Sequence, residues 1–152
     1  MPEIRTGSIQ IHPFTKVNGS VSFLVLKRSK TYKIYPGMWQ VITGTIDKGE
    51  TALATALREL REETGHSPLK FWHIPFIGQF YDYRKDIIHK IPVFAAELDN
   101  DIIDLSDEHD EYKWLSYDEL NNHLELPSHR EGTRYLMEYI LNNERNKHFR
   151  IM

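Results

Sequence analysis

The most apolar short segment of the chain runs from Val21 to Leu26, where Ser22 is the one polar residue. Such a run predicts a strand over Val21–Lys27 that is central in a sheet and buried on both faces. Ser8–Val17 alternates loosely between apolar and polar residues and predicts a neighbouring strand. Asn18 and Gly19 lie between the two segments and suit a hairpin turn, so the chain opens with an antiparallel pair of strands.

After Glu50 the apolar residues follow a helical period. Thr51 is a suitable N-cap, and Gly65, with Pro68 shortly after it, ends the predicted helix near Thr64. Residues three or four positions apart form its packed stripe, namely Leu53, Leu57, Leu60 and Thr64.

The second half of the chain predicts more strands and one further long helix. Phe71–Tyr83 and Ile87–Leu98 form a hairpin around Arg84–Asp86, in which Pro75 and Pro92 indicate edges or bulges. The remaining strand predictions are a short β-prone segment at Trp39–Thr43 and a strand at Tyr112–Leu115, with an acidic loop at Asp99–Asp110. A short helix is predicted at Tyr117–His123, and a long helix at Ser128–Asn142 begins with a capping box formed by Ser128 and Glu131. The polar tail from Asn143 to Met152 is predicted to be frayed. Together these elements predict an α/β fold with a mixed sheet packed between helices.

Composition narrows the class of protein. The chain has 152 residues, 40% of them hydrophobic and 27% charged, so we expect one globular domain spanning residues 1–152. A net charge of −3 gives no electrostatic reason to expect a nucleic-acid partner. The chain has no cysteine, no apolar run long enough for a membrane span and no signal-peptide pattern near Met1, so we expect a cytoplasmic enzyme without a membrane partner.

The acidic residues of the predicted helix carry the strongest chemical signal. Glu59 and Glu63 are four positions apart, so their like charges meet on one helix face near the negative end of the macrodipole. A cation would relieve both penalties, and carboxylate oxygens are donors that Mg²⁺ accepts. Glu62 lies on the far side, where Arg58 can pair with it, so the helical wheel ranks it below the other two. A solvated acidic face is the alternative interpretation.

The spacing around these acids resembles the Nudix box of the Nudix hydrolases. Its fixed positions are all filled, by Gly44, Glu50, Arg58, Glu59, Leu60, Glu62, Glu63 and Gly65, and His66 stands where the family prefers an aliphatic residue. The resemblance implies an α/β/α sandwich and a Mg²⁺ cofactor, with Mn²⁺ as a substitute. It also implies that Glu59 and Glu63 bind the metal, with Glu62 as an additional or alternating ligand. Arg58 and Glu50 are expected to hold the Gly44 loop against the helix, which makes Arg58 important for catalysis.

A second resemblance lies in the acidic segment before the last predicted strand. Glu108 and His109, followed by Tyr112, Trp114 and Leu115, match a Glu-His and Tyr-x-Trp-Leu pattern of several Nudix nucleotide hydrolases. The match implies that Glu108 is the general base or the final metal ligand. Glu111 remains the alternative to it, and we expect His109, His123 and His129 to be loop residues rather than ligands.

The substrate prediction rests on shorter motifs. Trp39 and Gln40, leading to Thr43 and Gly44, resemble the dihydroneopterin triphosphate pyrophosphatase and dATP pyrophosphohydrolase branch of the family. The basic residues Arg28 and Arg130 match that branch too, and suit a triphosphate tail. Several aromatic residues could stack on a base or pterin ring, although most aromatics are core residues: Trp39, Trp72, Phe76, Phe80, Tyr81, Tyr83 and Trp114.

The leading prediction is therefore a Mg²⁺-dependent pyrophosphohydrolase of a nucleoside or pterin triphosphate, acting as a monomer or homodimer. A dinucleoside polyphosphate hydrolase is the alternative, since Tyr83 falls where those enzymes often carry a tyrosine. An ADP-ribose pyrophosphatase is less favoured, because Tyr81 lies near the place of its expected proline. A catalytically silent ligand-sensing Nudix domain is a further alternative, but such domains usually lose acids of the box.

Overall fold

The computed structural model describes all 152 residues. It contains one mixed sheet and a small number of helices. Its strands are β1 (Glu3–Arg5), β2 (Ser8–Val17), β3 (Ser20–Arg28), β4 (Trp39–Gln40), β5 (Ile42–Thr45), β6 (Lys70–Asp82), β7 (Ile87–Glu97) and β8 (His109–Leu115). Its helices are α1 (Ala52–Thr64), α2 (Tyr117–His123) and α3 (Pro127–Tyr135). A π-helical turn at Leu136–Ile140 extends α3, and a 3₁₀ turn follows at Asn146–His148.

Strands β2 and β7 occupy the middle of the sheet and run parallel to each other. β6 pairs antiparallel with β7, β3 pairs antiparallel with β2, and β8 pairs antiparallel with β3. The three-residue β1 adds to β7 in parallel, and was not predicted from the sequence. The predicted β2–β3 hairpin is confirmed, because Asn18 and Gly19 adopt φ angles of +52° and +81° between the strands.

Two apolar layers lie on opposite faces of the sheet, as the predicted sandwich requires. Helix α1 packs Ala56 and Leu60 against one layer, which includes Ile9, Ile11 and Leu24. On the other face, α2 and the helix that follows it pack against a second layer, which includes Phe14, Phe23, Val25, Trp72, Leu120 and Leu136. The mixed α/β fold with helices on both faces is thus confirmed.

The ends of α1 follow the predicted chemistry. The Thr51 hydroxyl accepts a hydrogen bond from the Ala54 N–H at 3.1 Å, and Gly65 adopts a left-handed conformation with φ of 78°. Glycine pays no steric penalty at such a C-terminal position. At His66, where the family prefers an aliphatic residue, Nε2 of the ring lies within hydrogen-bond distance of the Ile102 carbonyl oxygen.

The two prolines of the β6–β7 hairpin behave differently. The register of β6 shifts between His73 and Ile77, which confirms the bulge predicted at Pro75. Pro92 lies where β7 has no partner on one side, so the predicted local edge is confirmed, although β7 is paired on both sides elsewhere. Proline is tolerated there since it falls between the stretch that pairs with β1 and the stretch that pairs with β2, where no partner needs its missing N–H.

The C-terminal predictions need three corrections. The long helix is α-helical only to Tyr135 and turns π-helical before it ends at Ile140. Leu126 is the N-cap and Pro127 the first helical residue, so Ser128 lies inside α3 and makes no capping box, whereas Ser116 and Glu119 make one on α2. The tail is not frayed, because it pairs with β6 through hydrogen bonds to Phe71.

No helix of the chain combines the length and the apolar character that crossing a membrane would need.

Candidate active site

A cleft of about 670 Å³ lies where the sheet divides. β2 pairs with β3 through its second half and with β5 through Ser8–Ile11, so the two partners diverge. Arg28 and Gln40 line one wall of the cleft, and Gln10 and Gly44 line the other. Residues from α1, β6, α3 and the segment before β8 complete its lining.

Three of the four predicted metal ligands, Glu59, Glu62 and Glu63, lie on α1. Glu59 lines the cleft with 9% of its surface exposed, whereas Glu63 is 2% exposed. Burial and the nearby charge of Glu62 raise the pKa of Glu59 to about 7. The helical wheel therefore separated these two acids correctly from Glu62, which is exposed.

Gly44 permits Glu59 to lie against the backbone of β5. A Cβ at Gly44 would be 2.3 Å from the Cγ of Glu59, which no side chain could tolerate without displacing the carboxylate. Gly49 in the same loop needs the backbone freedom of glycine, because its φ is 85°, whereas at Gly44 the requirement is close approach.

Arg58 links Glu50, which lies just before α1, to Glu59 and Glu62 within α1. Its Nε and Nη2 donate to the two carboxylate oxygens of Glu50, each at 2.9 Å, in a bidentate pair. Its Nη1 donates to Glu59 at 3.0 Å and to Glu62 at 3.2 Å. The bond from Arg58 lowers the pKa of Glu50 to about 2, and the Nη2 bond to the Thr45 carbonyl ties the Gly44 loop to α1.

Glu63 is held by groups that are distant in sequence. Its Oε2 accepts from the Ser106 hydroxyl at 2.8 Å and lies 2.7 Å from Nδ1 of His109. Burial acts to raise the pKa of Glu63, but the bonds from His109 and Ser106 outweigh it and lower that pKa. Nε2 of His109 lies 3.0 Å from the Gln40 amide, which accepts in turn from Arg28.

The prediction that His109 and His129 are loop residues is therefore wrong. His109 begins β8 with 8% of its surface exposed, and His129 lies in α3 with 2% exposed. The Glu-His motif pointed to His109 without giving it a function. His123 belongs to α2, where Nδ1 lies 3.1 Å from the Glu119 carbonyl oxygen.

The structure distinguishes between the two candidates for the general base or final metal ligand, which are Glu108 just before β8 and Glu111 within it. Glu108 lines the cleft, and burial together with the charge of Glu63 raises its pKa. Glu111 instead pairs with Lys27 at 3.5 Å on the sheet surface and does not line the cleft. Tyr32 also lines the cleft, below the guanidinium of Arg28 at 4.5 Å, and no sequence signal had indicated it.

Two predicted substrate residues lie outside the cleft. Trp39 packs against the core, with Nζ of Lys113 4.8 Å from its ring centre. Arg130 is exposed and donates to the Leu124 carbonyl. Among the aromatic candidates, Phe80 and Tyr81 line the cleft, whereas the others pack elsewhere or lie on the surface away from it.

The acidic end of the cleft suits a hard cation in charge and in donor type. A single guanidinium, that of Arg58, is shared by Asp47, Glu50, Glu59 and Glu62. No group of three or more acidic or histidine side chains is arranged around a common point. The carboxylates thus supply the oxygen donors that Mg²⁺ or Mn²⁺ accepts, without forming a preassembled cage.

Comparison with known proteins gives the family. The model of the NUDIX domain matches residues 12–138. The chain belongs to the Nudix family. It is accordingly a Nudix hydrolase, and enzymes of this family generally use divalent metal ions.

Relatives of this Nudix hydrolase carry several kinds of name. A bis(5'-nucleosyl)-tetraphosphatase of Rattus norvegicus is 36% identical over 112 residues, covering 71% of the chain and 74% of the relative. A dihydroneopterin triphosphate diphosphatase of Haemophilus influenzae is 27% identical over 124 residues, covering 72% and 75%. By contrast, the chain spans 31% of the length of a larger relative, an octanoyltransferase of Myxococcus xanthus.

Comparison with solved structures finds the same fold. The E. coli dihydroneopterin triphosphate pyrophosphohydrolase superposes with a TM-score of 0.71 at 22% identity, covering 93% of this chain and 99% of that one. At this identity the likeness establishes the fold of the Nudix hydrolase and not its substrate.

Proposed function

We propose that the protein is a Mg²⁺-dependent pyrophosphohydrolase that converts a nucleoside triphosphate similar to dATP, or a pterin triphosphate, to the monophosphate and pyrophosphate. The observation that carries the proposal is the position of Arg28 in the cleft that Glu59 and Glu108 also line. Its Nε is buried and has no hydrogen-bond partner within the protein. A phosphate oxygen would supply that partner.

The reaction adds water across an α–β phosphoanhydride bond. One oxygen–phosphorus bond forms, the bond to the bridging oxygen breaks, and pyrophosphate leaves. A bound divalent ion would neutralise charge on the phosphoryl oxygens and lower the pKa of a bound water. Glu59 and Glu63 would hold it, with Glu62 as an alternating ligand.

The other residues divide the remaining work. Glu108 accepts the proton of the attacking water, a role that its raised pKa favours. Arg58 and Glu50 keep the Gly44 loop against α1, and Arg28 and Gln40 bind the phosphate tail. Trp39 and Arg130 act at most indirectly in this proposal, because neither lines the cleft.

The test is a hydrolysis screen with Mg²⁺ across dATP, the other nucleoside triphosphates, dihydroneopterin triphosphate, diadenosine tetraphosphate and ADP-ribose, with chromatographic analysis of the products. We expect monophosphate and pyrophosphate from a triphosphate, and a loss in kcat of about 10²–10³ in Glu63→Gln and Glu59→Gln, the usual cost of removing one electrostatic stabilising group. Circular dichroism verifies that both variants fold. An undiminished rate in Glu63→Gln would overturn its assignment as a metal ligand.

A second candidate function has its own support. The 36% identity to the rat tetraphosphatase favours a dinucleoside tetraphosphate as substrate. Preferential cleavage of diadenosine tetraphosphate to ATP and AMP would select this alternative. Tight nucleotide binding with no cleavage of any compound, in Mg²⁺ or Mn²⁺, would instead identify a ligand-sensing domain. The predictions of a small-molecule partner without nucleic acid, and of a monomer or homodimer, remain predictions.

A further inference from the structure

Gln10 carries a buried acceptor that the proposed chemistry of phosphate cleavage does not use. It is 0% exposed on β2, and its side chain helps to line the cleft. Its Oε1 makes no hydrogen bond within the protein. A buried carbonyl oxygen without a donor is destabilising, so its retention at a cleft points to a ligand that supplies one.

The orientation of this amide is fixed by its surroundings. Nε2 of Gln10 donates to the Ser128 carbonyl at 3.0 Å. Reversing the amide would place Oε1 against that carbonyl, bringing two acceptors together. The free atom is therefore the oxygen.

The neighbouring histidine reinforces the same orientation. Nε2 of Gln10 lies 2.7 Å from Nε2 of His12, which must then accept and carry its hydrogen on Nδ1. That Nδ1 lies 3.3 Å from the Thr133 hydroxyl, which donates to the His129 carbonyl at 3.0 Å. Burial, and secondarily His129, lowers the pKa of His12 to about 3, so the ring is neutral and the chain of bonds has one direction.

Close packing prevents the amide from turning. A Cβ at Gly132 would lie 2.4 Å from Nε2 of His12 and 2.8 Å from Nε2 of Gln10, so α3 presses its backbone on both side chains. A Cβ at Gly78 would be 3.5 Å from Oε1 of Gln10. The oxygen thus lies beside a strand position without a side chain.

A donor accompanies this acceptor. Nδ1 of His129 accepts from the Val41 N–H at 3.4 Å, so the hydrogen of the neutral ring is on Nε2. Burial lowers the pKa of His129 to about 4, which keeps the ring neutral. His129 lines the same cleft, and its Nε2 makes no hydrogen bond within the protein.

We propose that Gln10 determines specificity for the heterocycle: its Oε1 accepts a hydrogen bond from an amino group of a purine-type ring, while Nε2 of His129 donates to an adjacent ring nitrogen. The inference rests on the proposed function for the position of the phosphates, and adds the class of ring. A heterocycle that lacks the amino group leaves the oxygen unpaired, which a site built for the hydrogen bond penalises.

The test compares dATP with purine deoxyriboside triphosphate, which has the same charge and nearly the same shape but no amino group. We expect kcat/KM to favour dATP by about tenfold, mainly through KM, as one hydrogen bond in a desolvated site would give. In Gln10→Met the ratio should fall to within about twofold. Thr15→Val is the matched control, a buried polar residue of the same strand that bonds to Leu98 and does not line the cleft, and it should keep the preference.

Calorimetric binding of deoxyadenosine and purine deoxyriboside to the unmodified protein tests the same pair without hydrolysis. It keeps the inference testable if Gln10→Met does not fold. Tighter binding of deoxyadenosine supports the role of Gln10 even if no triphosphate is cleaved, an outcome that would overturn only the proposed function. Cleavage of both triphosphates with equal kcat/KM would overturn the role of Gln10 and leave the proposed function standing.

Discussion

A Cβ on Gly44 would lie 2.3 Å from Cγ of Glu59 and 2.5 Å from its carboxyl carbon. The end of β5 and the last turns of α1 are thus in contact because one of the two residues has no side chain. This contact sets the position of the carboxylate that faces the cleft.

Gly44→Ala should therefore displace Glu59 while leaving the fold intact, because the glutamate can rotate away. We expect kcat/KM to fall by about a hundredfold, the order of loss that follows a displacement of about 1 Å at a reacting centre. Steady-state kinetics with the best substrate of the screen measures the loss. Gly7→Ala is the matched control, since a Cβ there meets nothing within 4 Å, and an equal loss in it would refute the explanation.

Arg58→Lys tests whether the bidentate pair with Glu50 organises the loop. Lysine keeps the charge but cannot bind both carboxylate oxygens in one plane. We expect kcat to fall by roughly ten- to a hundredfold with little change in unfolding temperature. Arg61→Lys on the same helix contacts only Ser67 through its side chain and should retain full activity. Full activity in Arg58→Lys would show that charge alone suffices.

Glu108→Gln and Glu111→Gln form a pair that assigns the base. Glu108 lines the cleft, whereas Glu111 is bound to Lys27 on the sheet surface. We expect Glu108→Gln to lose about 10²–10⁴ in kcat, the usual contribution of a general base. Glu111→Gln should stay within about twofold of the parent enzyme. The reverse pattern would transfer the role to Glu111.

The buried histidines make stability depend on pH. Burial lowers the pKa of His12 to about 3 and of His129 to about 4, below their ordinary value of 6.5. The unfolded chain then binds protons near pH 6.5 that the folded chain does not. The contribution of these histidines to the free energy of unfolding is unaffected above that pH and falls as the pH decreases from about 6.5 to 4, by up to about 1.4 kcal/mol per pH unit for each histidine.

Urea unfolding between pH 7 and 5 measures this slope. His12→Gln removes one titrating ring, so its slope should be shallower by about one proton, even though the variant starts from a lower stability. An unchanged slope in His12→Gln would mean that the ring already titrates in the folded protein.

The local parts of the site follow directly from the sequence. The helix period, the Thr51 cap and the Gly65 terminus each depend on residues within a few positions of one another, and all are present in the structure. The pairing of Arg58 with Glu50 spans the N-cap and nearly two helical turns, so the motif spacing was enough to predict it. The capping box predicted at Ser128 failed because two local signals competed. Pro127 became the first residue of α3, which placed Ser128 inside the helix instead of at its N-cap.

What the sequence by itself determined is therefore the family motif, the order of the main strands and helices after β1, and the acids of α1. Tertiary structure alone decided that His109 binds Glu63 across 46 residues and that Gln10 reaches Ser128 across 118. It also placed Trp39 and Arg130 outside the cleft and Tyr32 inside it. The reason is physical: helix period and capping act over a few residues, whereas these contacts depend on which strands pair, in which register, and where the sheet divides.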